Sequence, residues 1–157
     1  METALTLADY ESLAELRYQI RRFLRFSEDA CRAAGLEPAQ HQMMLALKGL
    51  PAGSRPRIGE LADRLQVQHH SAVELANRLA AGGYVRRQRG GQDRREVLLA
   101  LTPKGERVLR ELSLSHRGEL HTQGPVLIAA LRRAIRAGKN LDGARPHSRR
   151  ARRTQQP

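Results

Sequence analysis

Apolar positions fall at helical spacing over most of the chain. Between Asp9 and about Ala34, Leu13, Leu16, Ile20, Phe23, Leu24 and Ser27 recur mostly at steps of three and four. That spacing predicts a long amphipathic helix with one side to bury. Gly35 stops it, and Pro38 opens a shorter helix through Leu47 in which Met43, Met44 and Leu47 are apolar. The breakers from Gly49 to Pro56 predict a loop. Beyond it, Ile58, Leu61, Ala62 and Leu65 mark one face of a helix, and Ala72, Leu75, Ala76 and Leu79 repeat the pattern in a second. Only about Gln66 to Gln68 separates the two, the short connection of a helix-turn-helix.

After Gly82 and Gly83, two β-capable runs, Tyr84 to Arg89 and Val97 to Leu101, flank the polar centre Gly90, Gly91, Gln92 and Asp93, which predicts a hairpin. Thr102 and Pro103 form an N-cap and first-turn pair for a helix carrying Val108, Leu109, Leu112 and His116 to about Leu120. Gly124 and Pro125 are expected to break it. Val126, Leu127, Ala130, Leu131, Ala134 and Ile135 then stripe a final helix to about Ala137, with Gly138 as punctuation. The predicted architecture is mostly α with a small β-hairpin: an N-terminal helix over 1–35, a central domain over 36–105, C-terminal helices over 106–141 and a tail over 142–157. No other large element covers the first and last stripes, so a homodimer joined through them is expected.

At 157 residues the chain has the length of one domain. Its 28 Lys and Arg against 16 Asp and Glu leave a net charge of +12, which calls for a polyanionic partner. Only Lys48, Lys104 and Lys139 are lysines. Arginine suits bidentate contacts to phosphate and guanine, although gene base composition produces the same bias. Residues 1–30 are net acidic, whereas residues 55–105 carry ten basic and five acidic side chains. Another basic cluster, Arg145, Arg149, Arg150, Arg152 and Arg153, reads as a disordered tail. The aromatic set is Phe23, Phe26, Tyr10, Tyr18 and Tyr84, too sparse for a single-strand stacking platform, so duplex DNA is favoured over RNA. A single cysteine, Cys31, excludes an intrachain disulfide and fits a reducing cytoplasm. With neither a signal-like start nor an apolar run of spanning length, a soluble protein without a membrane partner is expected.

The stretch Ile58 to Leu79, then Gly83-Tyr-Val-Arg-Arg87 and Asp93-Arg-Arg-Glu-Val-Leu-Leu-Ala-Leu-Thr-Pro-Lys-Gly105, resembles the MarR family of winged helix-turn-helix transcriptional regulators. Asp-x-Arg running into Leu-Thr-x-x-Gly is its most specific part. The resemblance covers about Leu13 to Ala137 and implies a bacterial, cytoplasmic, homodimeric DNA-binding repressor with interlocked terminal helices. Each subunit would place one helix in a major groove and its wing along a minor groove. It also implies release by a small aromatic or phenolic acid, for which Arg17, Tyr18, Arg21, His41 and Met44 are the candidate contacts. By the family pattern, Arg95 inserts or is oriented by Asp93. Gly90-Gly91 departs from the usual tip and predicts a more mobile wing.

The residues support a DNA interface on their own terms. Gln68, His69, His70, Ser71, Glu74, Asn77 and Arg78 are expected on the open face of the second helix, able to meet base edges or phosphates. The bland alternative is a solvated helix surface. Arg78 is placed either to be held by Glu74 or to reach guanine. Arg86, Arg87 and Arg89 are candidate phosphate contacts, and Arg94 and Arg95 candidate minor-groove residues.

His69 and His70 are adjacent and diverge on a helix, so they are not expected to hold a metal. Cys31, His41, His116 and His121 offer suitable ligand types, but His116 and His121 do not share a face, and no metal or other cofactor is expected. Cys31 reads as a small buried hydrophobe rather than an oxidation sensor. No catalytic set emerges, and an enzyme is not expected. The rivals are a nonspecific architectural DNA binder and a metal- or redox-responsive regulator.

Overall fold

The computed structural model describes residues 5–90 and 96–142, with side chains described as far as Ala137. The hairpin tip, with Asp93, Arg94 and Arg95, and the basic tail beyond Asp142 lie outside the described residues. The elements run α1 (Leu7–Ala33), α2 (Pro38–Lys48), α3 (Ile58–Leu65), α4 (His69–Ala81), β1 (Val85–Arg89), β2 (Val97–Leu101) and α5 (Pro103–Asp142). The chain forms two compact units, one spanning residues 22–123 and the other made of the described parts of 1–21 and 124–157. Both boundaries fall within long helices.

In the larger unit, the apolar faces of α2, α3 and α4 meet over a core that includes Met43, Met44, Leu61, Ala72, Ala76 and Leu79. Val85 and Leu99 from the hairpin and Leu109 and Leu112 from α5 complete it. The α3–α4 turn rests on Gln66 in the left-handed region (φ 55°), while the Val67 N–H returns to the Ala62 carbonyl at 3.1 Å. At the end of α4, Gly83 takes φ +74°. This lets the Tyr84 N–H reach the Leu79 carbonyl at 2.9 Å and turns the chain into β1.

β1 and β2 pair antiparallel with Val85 opposite Leu101 and Arg89 opposite Val97. The start of α5 locks this hairpin. The Thr102 hydroxyl donates to the Gly83 carbonyl at 2.6 Å and accepts from the Gly105 N–H at 3.1 Å. A Cβ at Gly105 would lie 2.1 Å from the Tyr84 carbonyl oxygen, so the Leu-Thr-Pro-Lys-Gly run is shaped by backbone approach and capping.

One expectation fails. Gly124 and Pro125 do not divide the C-terminal segment, because α5 is a single helix of 40 residues with Pro125 inside it. Proline removes its own bond to the preceding turn and crowds the carbonyl four residues back, a local cost of about 3 kcal/mol. The more sheltered positions, 116, 119, 123, 127, 130, 134 and 137, keep three- and four-residue steps through the interruption. The stripe therefore never changes phase, and one continuous helix keeps it aligned.

Candidate nucleic-acid interface

The N-terminus of α4 is open. Gln68 precedes it in extended conformation (φ −66°, ψ 150°) with no side-chain cap, and the Ala72 N–H is bonded back to the Gln68 carbonyl at 3.1 Å. The donors of the first turn therefore point outward at the positive end of the helix, an arrangement suited to phosphate. Gln68, His69, His70, Glu74, Asn77 and Arg78 are exposed on this helix. Ser71 is half-buried instead of exposed, because it sits one turn before Leu75 at the edge of the core-facing side. Its hydroxyl is less open than the pattern suggested.

Two residues of this face are already tethered. Arg78 donates to Glu37 at 2.8 Å, whereas its approach to Glu74 is only 3.9 Å. The acidic partner anticipated one turn away is thus secondary to one at the head of α2. Arg87 of β1 donates to the Asn77 side-chain oxygen at 2.5 Å, joining the strand to the helix face. Arg86, Arg87 and Arg89 are all exposed along β1.

The base of the hairpin carries a feature that pattern reading missed. Glu96, its side chain only 10% exposed, is paired with Arg55 at 2.6 Å and with Arg57. Both contacts are charge pairs rather than well-aligned hydrogen bonds. Beside them the Leu99 N–H donates to the Pro56 carbonyl at 2.9 Å, so residues 55–57 run along β2 like a third edge. The available signal was a lone glutamate opening an apolar strand in an arginine-rich region.

The suggested effector residues divide. Arg17, Tyr18 and Arg21 are exposed on the part of α1 in the smaller unit, whereas His41 and Met44 are buried in the larger one. Met44 has no exposed surface and serves as core. A cleft of about 640 Å³ in the smaller unit is lined instead by Ser12, Ala129, Arg132, Arg133 and Arg136 among others. These arginines were not singled out from the sequence.

Of the four metal-type residues, Cys31, His41 and His116 come together, with one ligand atom from each within 4.8 Å of the others. His121 is exposed and stands apart from that group. Burial pulls His41 down to about 4, with the neighbouring His116 adding to the effect. Burial likewise lowers His116, opposed by a backbone hydrogen bond with Ser27. The Cys31 thiol is pushed up by burial, partly offset by the Ser27 side chain. These shifts favour a protonated thiol and disfavour a reactive thiolate.

Residues 34–96 match the family model described as MarR family. Among curated proteins none matches the chain. AbsC, a MarR family transcriptional regulator from Streptomyces coelicolor, superposes with a TM-score of 0.69 at 20% identity, covering 89% of this chain and 98% of its own. The transcriptional regulator Tm0710 from Thermotoga maritima gives 0.56 at 26% identity, covering 82% and 89%. A cysteine variant of E. coli MarR complexed with operator DNA gives 0.57 at 20% identity, covering 68% and 74%. The matched segment holds α2, the helix-turn-helix and β1, and the fold around it is shared with these structures; residues 34–96 are similar to the MarR family, and the chain has the winged-helix fold of these structures.

Proposed function

We propose that the protein is a transcriptional regulator that binds duplex DNA sequence-specifically as a homodimer and acts as a repressor. The observation that carries this is the juxtaposition of the open polar face of α4 with the arginine strand β1, joined by the Arg87–Asn77 hydrogen bond. A helix of this kind reads base edges from the major groove, while the flanking arginines fix its register on the phosphates. That a similar fold, E. coli MarR, has been solved with operator DNA supports the same use here.

The dimer is supported by apolar side chains left open on both long helices: Leu13 and Leu24 on α1, and Val126, Ile128, Leu131 and Ile135 on α5 are each more than 40% exposed. Two copies related by a twofold axis would read an inverted repeat with half-sites about one helical turn apart. A small aromatic or phenolic acid is the proposed releasing ligand. Two features favour a carboxylate: the exposed Arg17 and Arg21 one turn apart on α1, and the arginine-lined cleft of the smaller unit. Such a ligand releases DNA by preferring a dimer whose recognition helices are wrongly spaced.

The direct experiment is a gel shift on the DNA flanking the protein's own gene, with unlabelled specific and random DNA as competitors. Specific DNA should compete at far lower mass. Equal competition by both would replace this proposal with a nonspecific architectural binder.

A further inference from the structure

We propose that Cys31, His41 and His116 form a binding site for a zinc-class divalent cation inside the helical core of the larger unit. The site draws one ligand from the end of α1, one from the first turns of α2 and one from the middle of α5. Cys31 and His41 are each only 1% exposed, and His116 is half-buried, giving an approach from the surface. The three ligand atoms already lie within 4.8 Å of one another. Around a tetrahedral zinc ion such atoms are about 3.3 to 3.6 Å apart, so side-chain adjustments of about 1 Å close the site.

Among the described residues, neither ring nitrogen of His41 has a hydrogen-bond partner, nor has Nε2 of His116, although all three atoms are buried. Buried imidazole nitrogens are ordinarily satisfied, and two orphans on one ring are not explained by packing. The two imidazoles meet edge to face with centroids 4.8 Å apart, too near for each to have its own polar pocket. A cation would satisfy a nitrogen of each ring at once.

Support from around the site is also present. Ser27 contacts Cys31 through its side chain and His116 through its backbone, which orients both and leaves Nε2 of His116 free to ligate. One sulfur and two nitrogens, without a carboxylate, select zinc over magnesium or calcium. On binding, the Cys31 S–H bond gives way to a metal–thiolate bond and the proton leaves to solvent. The fourth position is left to water or another donor. The ion would tie α1, α2 and α5 together, so its binding energy becomes folding energy of this unit.

The test uses the full chain stripped with a chelator and titrated with cobalt(II), then zinc(II). Expected are the visible bands of four-coordinate cobalt and a near-ultraviolet thiolate-to-cobalt charge-transfer band, saturating at one equivalent per chain and displaced by zinc. Zinc should raise the melting temperature. Cys31→Ser should abolish the charge-transfer band and weaken zinc binding by about tenfold or more, whereas His121→Asn should leave both unchanged. Absence of the charge-transfer band in the unaltered chain would overturn the proposal, whatever the folding of the variants. Its persistence in Cys31→Ser would overturn it too.

Discussion

Arg78 in the last turn of α4 is hydrogen-bonded to Glu37 at the head of α2, across 41 residues of sequence, at 2.8 Å. The two side chains remain 50% and 59% exposed, so the pair is a solvated tether. Such pairs contribute about 0.2 to 1 kcal/mol. A double-mutant cycle of Arg78→Ala and Glu37→Ala on unfolding free energy should therefore give a coupling of no more than about 1 kcal/mol. Glu37→Ala should also strengthen DNA binding, because it frees Arg78 and removes a negative charge near the phosphates. A larger coupling, or weaker DNA binding by Glu37→Ala, would make Arg78 a structural residue.

Asn77 and Arg87 give a second prediction, since their hydrogen bond holds a strand arginine against the exposed polar face of α4. Asn77→Ala should reduce discrimination between the preferred site and a mutated one. Arg86→Ala should lower affinity for all sequences about equally and reduce the salt slope by about 1. Fluorescence anisotropy on matched and mismatched duplexes at several salt concentrations separates the two patterns. A uniform loss for Asn77→Ala would assign it to positioning alone.

The Glu96 clamp concerns stability. Its carboxylate is nearly buried between Arg55 and Arg57. Replacing Glu96 by Ala should destabilise the chain by about 1–3 kcal/mol, the range for losing charged partners at a sheltered site. Denaturant unfolding measures this directly, and an unchanged midpoint would show that the arginines hold nothing.

At the start of α5, Gly105→Ala should destabilise by about 1–3 kcal/mol, because the added methyl meets the Tyr84 carbonyl oxygen and the backbone must shift. Thr102→Ala should cost about 1 kcal/mol through loss of the cap, and more if the Gly83 tie matters equally. Thermal unfolding that leaves both variants at the parent midpoint would contradict this account of the Thr-Pro-Lys-Gly run.

What was legible in the sequence was local. The apolar repeats of Leu61 with Leu65 and of Ala72 with Leu75, Ala76 and Leu79, and the gap at 66–68, placed α3, α4 and their turn because helical phase is carried by near neighbours. The same local logic failed at Gly124-Pro125. There the glycine and proline carry a local penalty that signals a stop, while the phase of the stripe runs on through it. Contacts set by tertiary packing were invisible: Arg78 with Glu37, Glu96 with Arg55 and Arg57, and the meeting of Cys31, His41 and His116. For the last of these, helical spacing could compare only His116 with His121. No periodicity shows that α1 and α2 bring Cys31 and His41 to His116.

The central claim, that α4 and the hairpin of two copies read a specific duplex, is tested most directly by footprinting the full chain on the DNA flanking its own gene. Two protected half-sites of inverted sequence, spaced about one helical turn apart and retained in excess random DNA, are the predicted result. Protection spread evenly along the fragment and erased by an equal mass of random DNA would contradict it.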